Sequence, residues 1–199
     1  MAENRIPVAA VVGPTATGKT ELGIGLCQRL GGEVVSCDSM QVYRGLPIGT
    51  AQPTPEELAA APHHLIGFLD VNQPFSVSDY VEAAGKAIQG IRARGKFPVL
   101  VGGTGLYARS LLRGFSFEEN GRDEALRQKL FRQAEEQGVD ALYRRLQELD
   151  PKAAEEIHPH NVKRVVRALE YIQLCSEPFS QQAERSRTAQ SPYQYVMLC

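Results

Sequence analysis

The sequence predicts an α/β fold: a P-loop NTPase-like core with a parallel sheet flanked by helices, plus an all-helical insertion domain. Three observations carry that expectation. The stretch VAAVVGPTATGKTELG, residues 8–23, joins an apolar run to a Gly-rich turn and a Lys-Thr pair, matching G-x-x-x-x-G-K-[ST] between a strand and a helix. Residues 1–114 alternate strand and helix signals, as a parallel sheet with crossover helices does. From about Phe115 the β-branched runs give way to amphipathic helical sequence.

In order along the chain, Val8–Val12 reads as a buried strand and Gly13 to Gly18 as the turn after it. Lys19 and Thr20 open the next helix. Backbone N–H groups of Gly13, Pro14, Thr15, Ala16, Thr17 and Gly18, wherever the residue has one, together with the positive end of the helix dipole, suit an anion. Lys19 adds a point charge, and the Thr20 hydroxyl is placed to ligate Mg²⁺. GEVVSCDS is a second short β-branched run ending in polar residues, and HHLIGFLDV a third apolar run. SVSDYVEAAGKAIQGIRARG has Ser and Asp near its start and Gly95 at its end, the pattern of a capped helix. KFPVLVGGTGLYARSLL supplies another strand, a Gly turn and a helix.

DEALRQKLFRQAEEQGVDALYRRLQELDP and NVKRVVRALEYIQLC are amphipathic, and SEPFSQQAERSRTAQSPYQ reads as a polar connector. The final PYQYVMLC reads as the start of a strand. The expected organisation is a core over 1–114, a helical insertion over 115–190, and a strand returning to the core over 191–199. Because the chain stops on that strand, it reads as lacking a C-terminal part.

Composition narrows the function. The formal net charge is −1, so any nucleic-acid contact must come from a local patch. Cys27, Cys37, Cys175 and Cys199 form no C-x-x-C pair, which argues against zinc and against a disulfide framework. The start lacks the apolar core of a signal peptide, and no apolar run approaches the ~20 residues of a membrane span. The expectation is a cytoplasmic protein, monomeric and without a membrane partner.

In parallel sheets ligands bind beyond the carboxyl ends of the strands. Three stretches share that place: the 13–20 loop, SCDSMQVYRG and GGTGLY. Asp38 there serves as a general base or Mg²⁺ ligand, with Ser36, Ser39 and Gln41 as hydrogen-bonding neighbours; the alternative is an Asx turn or helix cap. The strand VLVGG ends in glycine where many P-loop nucleotidases carry a metal-supporting Asp, which weakens an ATPase reading. Thr104 can hydrogen-bond a phosphate oxygen but is no strong metal anchor. Asp70 reads as a second acidic group or a cap. His63, His64, His158 and His160 read as structural, the adjacent pair diverging in either regular structure. On a wheel of NVKRVVRALEYIQL, Val162, Val165, Val166, Leu169 and Ile172 share one side. Lys163, Arg164 and Arg167 fall opposite, a basic face that Arg122 and Arg127 extend.

GPTATGKT, SCDSMQVYRGLPIGTAQPT, APHHLIGFLDVNQPFSVSDY, PVLVGGTGLY and IHPHNVKRVVRALE, in this order, resemble the bacterial tRNA dimethylallyltransferases over essentially the whole chain. The run DS-x-Q-x-YRG-x-x-IGTA is the most specific of them. The resemblance implies transfer of a dimethylallyl group from dimethylallyl diphosphate to the exocyclic amine of the adenosine 3′-adjacent to the anticodon in tRNA. It implies that Gly13 to Thr20 hold the diphosphate with Mg²⁺ on Thr20, that Asp38 is the general base, and that Thr104, near the substrate phosphates and the target nucleotide, is a second catalytic residue. It also implies that Asp38, Ser39, Met40, Gln41 and Thr104 meet the target nucleotide. Arg127, Lys163, Arg164, Val165, Val166 and Arg167 would meet the anticodon arm. The alternatives are a dimethylallyltransferase acting on free adenylate, a P-loop small-molecule kinase, and a non-catalytic tRNA-binding module. Family members run on beyond this length and supply a further phosphate-binding arginine.

Overall fold

The computed structural model describes residues 5–115, 123–188 and 190–199. The chain divides into two compact units, residues 1–115 with 190–199 and residues 116–189. The first is built on five strands: β1 (Ile6–Val12), β2 (Gly32–Ser36), β3 (His63–His64), β4 (Phe97–Gly102) and β5 (Tyr193–Leu198). Their order is β3-β2-β4-β1-β5, and every pair is parallel. All carboxyl ends therefore lie along one edge of the sheet, where the three candidate loops emerge.

Parallel strands covered on both faces need apolar residues on both, which explains the unbroken apolar runs. On β4, Leu100 joins a core with Val8, Val35, Tyr80, Ile88 and Leu111, while Val99 and Val101 join the opposite one with Val11, Ile24, Cys27 and Val34. The covering helices are α1 (Lys19–Leu30), α2 (Pro55–Ala60), α3 (Val77–Ala93) and α4 (Gly105–Leu112). α3 starts as its sequence predicts: Ser76 Oγ accepts from Asp79 N, and the Asp79 carboxylate accepts from Ser76 N. β5 lies beside β1, in register from Ile6 opposite Tyr193 to Val11 opposite Leu198.

The run HHLIGFLDV contributes only the two residues of β3. Leu65 and Gly67 both have positive φ, 64° and 55°, and turn the chain out of the sheet. It returns as a single bridge between Tyr43 and Leu69. His64 has a structural partner: its Nε2 lies 2.7 Å from Glu33 Oε2, and Arg94 donates to the same carboxylate at 2.6 Å. The Arg94 guanidinium, with help from His64 and against burial, holds the Glu33 carboxyl below its usual range.

The second unit contains α5 (Glu124–Gln137), α6 (Val139–Leu149), α7 (Pro151–Glu156), α8 (Val162–Cys175) and α9 (Phe179–Thr188). Leu130, Leu142, Leu146, Val165, Val166 and Leu169 form its core. The polar connector expected over 176–194 contains a helix from Phe179 to Thr188. Buried Asp150 supplies the reason: it accepts from Ala153 N to cap α7, and from Ser180 N and Oγ in the first turn of α9. The Phe179 ring also meets Tyr171 edge-on at 5.8 Å. Among the described residues no helix is long and apolar enough to cross a membrane.

Candidate active site

Three turns are stitched together at the carboxyl edge of the sheet by backbone bonds. Gly13 N donates to Gly102 O, Cys37 N to Val101 O, and Thr104 N to Cys37 O at 3.3, 2.7 and 3.0 Å. This closeness is why β4 ends in glycine. A Cβ on Gly102 would stand 2.2 Å from the Cys37 carbonyl oxygen, and one on Gly103 only 3.4 Å from Gly13 O. Gly102→Ala must push the turn carrying Asp38 off the turn carrying Thr104. The expected result is a loss of about 1–3 kcal/mol in urea unfolding, together with weaker anion binding.

The first turn has the backbone form that suits an anion. Ala16 and Gly18 adopt left-handed φ of 65° and 75°, and α1 begins at Lys19 without any side-chain cap. Its first N–H groups therefore remain open to a ligand. Lys19 Nζ donates to Pro14 O and lies 3.5 Å from Thr17 Oγ1, so its ammonium folds back over the loop. An arriving anion competes only with neutral oxygens for that charge.

The second turn holds Asp38, and the structure contains the Asx turn that the sequence left open. Asp38 Oδ1 accepts from Met40 N at 2.8 Å and Gln41 N at 3.3 Å. Those bonds orient the carboxylate and occupy one oxygen. The Asp38 Oδ2 atom lies on the side of Gly103, 3.7 Å from where a Cβ of that residue would be. The two oxygens of this side chain thus have different surroundings, one tied into the turn and the other toward Gly103.

Thr104 belongs to the third turn, and its hydroxyl is engaged with the second: it accepts from Ser39 N at 2.9 Å and donates toward Ser39 Oγ at 3.3 Å. Gln41 is bound inward as well, its Nε2 donating to Ala51 O and its Oε1 accepting from Ser36 Oγ. Met40 is exposed beside them.

Thr15 to Thr20, Asp38 and Gln41 line one cleft of about 410 Å³. Its wall also includes Thr50, Gln52 and Glu57, which the sequence reading passed over. Gln52 donates to Gln41 O and Tyr43 O, so the IGTAQ stretch holds the Asp38 loop closed. A polar residue ending an otherwise small, turn-rich run was the available signal. A larger groove of about 830 Å³ follows the outer side of α1 toward α2, lined by Leu22, Ile24 and Leu26. Asp38 does not line this groove, whereas it does line the smaller cleft.

In the helical unit the expected contact residues fall into three groups. Lys163 and Arg164 are exposed on α8. Val165 and Val166 are 0% and 1% exposed, so their side chains are core and cannot meet an RNA surface; the helical period turns them inward with Leu169. Arg127 and Arg167 are committed to Glu170, which is fully buried: Arg127 Nη2 and Arg167 Nη1 each donate to it at 3.0 Å. Asp123 N donates to the same carboxylate. Arg122 lies outside the described residues.

The profile of the IPP transferase family matches residues 41–199, and that of isopentenyl transferases matches residues 6–67. Among curated proteins, a tRNA dimethylallyltransferase of Geobacillus kaustophilus is 49% identical over 87% of this chain and 55% of its own length. One from Roseiflexus sp. is 50% identical over 94% of the chain and 60% of its own. Among solved structures, a full-length tRNA isopentenylpyrophosphate transferase from Bacillus halodurans superposes with a TM-score of 0.60 at 46% identity, covering 96% of this chain and 58% of that one. A eukaryotic dimethylallyltransferase crystallised acting on tRNA gives 0.84 at 28% identity, covering 96% and 47%. The chain thus spans between 47% and 60% of the length of these four proteins.

Proposed function

The chain belongs to the IPP transferase family, and from that premise we propose that it is the part of a tRNA dimethylallyltransferase that binds dimethylallyl diphosphate and abstracts the acceptor's proton. The acceptor is the exocyclic amine of the adenosine 3′-adjacent to the anticodon. One observation carries the reading: a single cleft contains both an uncapped anion cradle and a carboxylate with one oxygen tied down and the other turned toward Gly103. A phosphotransfer site built on the same loop would want a carboxylate at the end of β4, where this chain has Gly102 and Gly103.

The adenine amine is a weak nucleophile because its lone pair is delocalised into the ring. As its nitrogen bonds to the allylic carbon, the carbon–oxygen bond to diphosphate breaks and the amine loses a proton. Asp38 Oδ2 receives that proton, while Oδ1 remains held by Met40 N and Gln41 N. Residues 13–18, Lys19 and the first N–H groups of α1 receive the charge of the departing diphosphate. Thr104 acts through Ser39, fixing the turn on which Asp38 stands. The nucleobase must leave the anticodon stack to reach Asp38. Lys163 and Arg164 are the α8 cations exposed for the phosphates of the anticodon arm.

The residues also fit Mg²⁺. Among the described residues no group of three His, Cys, Asp or Glu side chains forms a metal cage. Mg²⁺ in phosphate sites needs none, since substrate oxygens and water fill most of its shell. The Thr20 hydroxyl and the diphosphate would hold it, and it would neutralise the leaving group's charge.

The test offers labelled dimethylallyl diphosphate, Mg²⁺ and unmodified tRNA to the chain alone, and to the chain joined to the Geobacillus kaustophilus segments outside the aligned stretch. Label in tRNA from the joined protein is expected. Label in AMP alone would move the acceptor to a free nucleotide. ATP turnover without label in either acceptor would overturn the reading.

A further inference from the structure

His63 stands apart from its neighbour His64, because one of its ring nitrogens lacks a partner. Its Nδ1 lies 2.8 Å from the Ala61 carbonyl oxygen. A carbonyl only accepts, so Nδ1 carries the proton and Nε2 presents a bare lone pair. That Nε2 is buried and without a hydrogen-bond partner among the described residues. Burial also pushes the ring's pKa down, which keeps the lone pair free of a proton. A buried acceptor left unmade is costly, so a donor is expected.

The ring lines a small cavity that Thr20, at the start of α1, also lines. Its volume is about 10 Å³, the room one water molecule needs. The polar groups around it are His63, Ser36, Gln41 and Thr20; Val34, Ile66 and Val101 supply apolar wall. Ser36 Oγ donates to Gln41 Oε1 and keeps lone pairs of its own to accept. The site is thus polar, of the right size, and contains an acceptor with nothing to accept from.

The geometry points to one ordered water in this cavity, donating to His63 Nε2 and Ser36 Oγ and accepting from the Thr20 hydroxyl, so that His63 is a positioning residue for Thr20. With its proton turned inward, Thr20 directs its lone pairs to the cleft, where a metal bound to diphosphate requires them. The positioning role rests on the reading of Thr20 as facing diphosphate; the water and the tautomer do not. Groups one shell removed from a metal ligand typically alter affinity about 10–100-fold.

Two measurements test this. A crystal structure of the chain, with nitrogen-15 NMR of its histidines, reads the water and the tautomer without any ligand. A water within hydrogen-bond distance of His63 Nε2, and a protonated Nδ1, are expected. A dry cavity, or a proton on Nε2, overturns the proposal. Calorimetry with magnesium pyrophosphate then compares the chain with His63→Phe and His63→Gln. The Phe variant should bind about 10-fold more weakly, and the Gln variant, whose amide oxygen can accept, should recover part of the loss. Equal affinity in all three with the water present overturns the positioning role. Absence of binding by the unaltered chain instead overturns the diphosphate reading while leaving water and tautomer standing. Should His63→Phe fail to fold, the NMR and crystallographic readouts on the unaltered chain and the comparison with His63→Gln still decide.

Discussion

Asp38→Asn is expected to slow transfer sharply in the joined protein and to leave the fold intact. The amide oxygen of Asn can still accept from Met40 N and Gln41 N, so the Asx turn survives and with it the position of Ser39 and Thr104. What disappears is a proton acceptor of carboxylate basicity in the cleft. The rate of label transfer to tRNA should fall at least ~10²-fold, equivalent to about 2.7 kcal/mol of transition-state stabilisation. Affinity for magnesium pyrophosphate and the thermal midpoint should stay at the level of the parent protein. The combination is diagnostic: a purely structural Asp38 would spare the rate in this variant, since Asn serves the turn equally well. Thr104→Val, by contrast, should lower both rate and stability, because its role runs through Ser39.

The second large effect concerns stability. Arg127→Ala removes Nε and Nη2 donors from a carboxylate that has no exposure, leaving Glu170 with Arg167 and the Asp123 N–H. Breaking a buried pair costs about 3–5 kcal/mol, and the remaining partners bring the expected value to about 2–3 kcal/mol. Hydrogen exchange localises it: amides of Val165 to Tyr171 on α8 should lose about 10²-fold protection. The pH dependence identifies the cause. Burial raises the Glu170 carboxyl, but the Asp123 N–H, Arg127 and Arg167 outweigh it and hold it below its ordinary range. A depressed folded pKa means stability that is complete above the unfolded value of about 4.3 and is lost as pH falls through the folded one. The gap between the parent and Arg127→Ala should therefore narrow as pH drops below about 4.3, since protonating Glu170 removes the charge that Arg127 pairs. A gap that stays constant would assign Arg127 a packing role only.

The Glu170 cluster also changes how the basic face of α8 is understood. Spacing on a wheel shows which side of a helix a charge occupies, and Lys163, Arg164 and Arg167 do share one. It does not show that Arg167 is drawn to a carboxylate three residues on, or that Arg127 arrives at the same carboxylate from α5. A sequence scan for cations counts these equally, whereas the fold separates exposed Lys163 and Arg164 from the two arginines that neutralise a buried glutamate.

What was legible in the sequence is local in the chain. The strand–loop–helix of residues 8–23, the capping box at Ser76 and Asp79, and the apolar periods of α3 and α8 each depend on residues within a few positions of one another. Backbone sterics, caps and amphipathic period suffice to specify them. The DS-x-Q-x-YRG run likewise carried the family, because its residues are contiguous. The tertiary structure decided what depends on distant partners. It divided the oxygens of Asp38 between an Asx turn and the side of Gly103, and bound Thr104 to Ser39 across 65 residues. It turned the polar tail into α9 by hanging Ser180 on buried Asp150, 30 residues earlier. It also left His63 Nε2 without a protein partner among the described residues while giving Glu33 to His64. The physical reason is the same in each case: hydrogen-bond satisfaction of a buried polar group is settled by whichever partner packing brings within about 3 Å, and sequence spacing carries no measure of that distance.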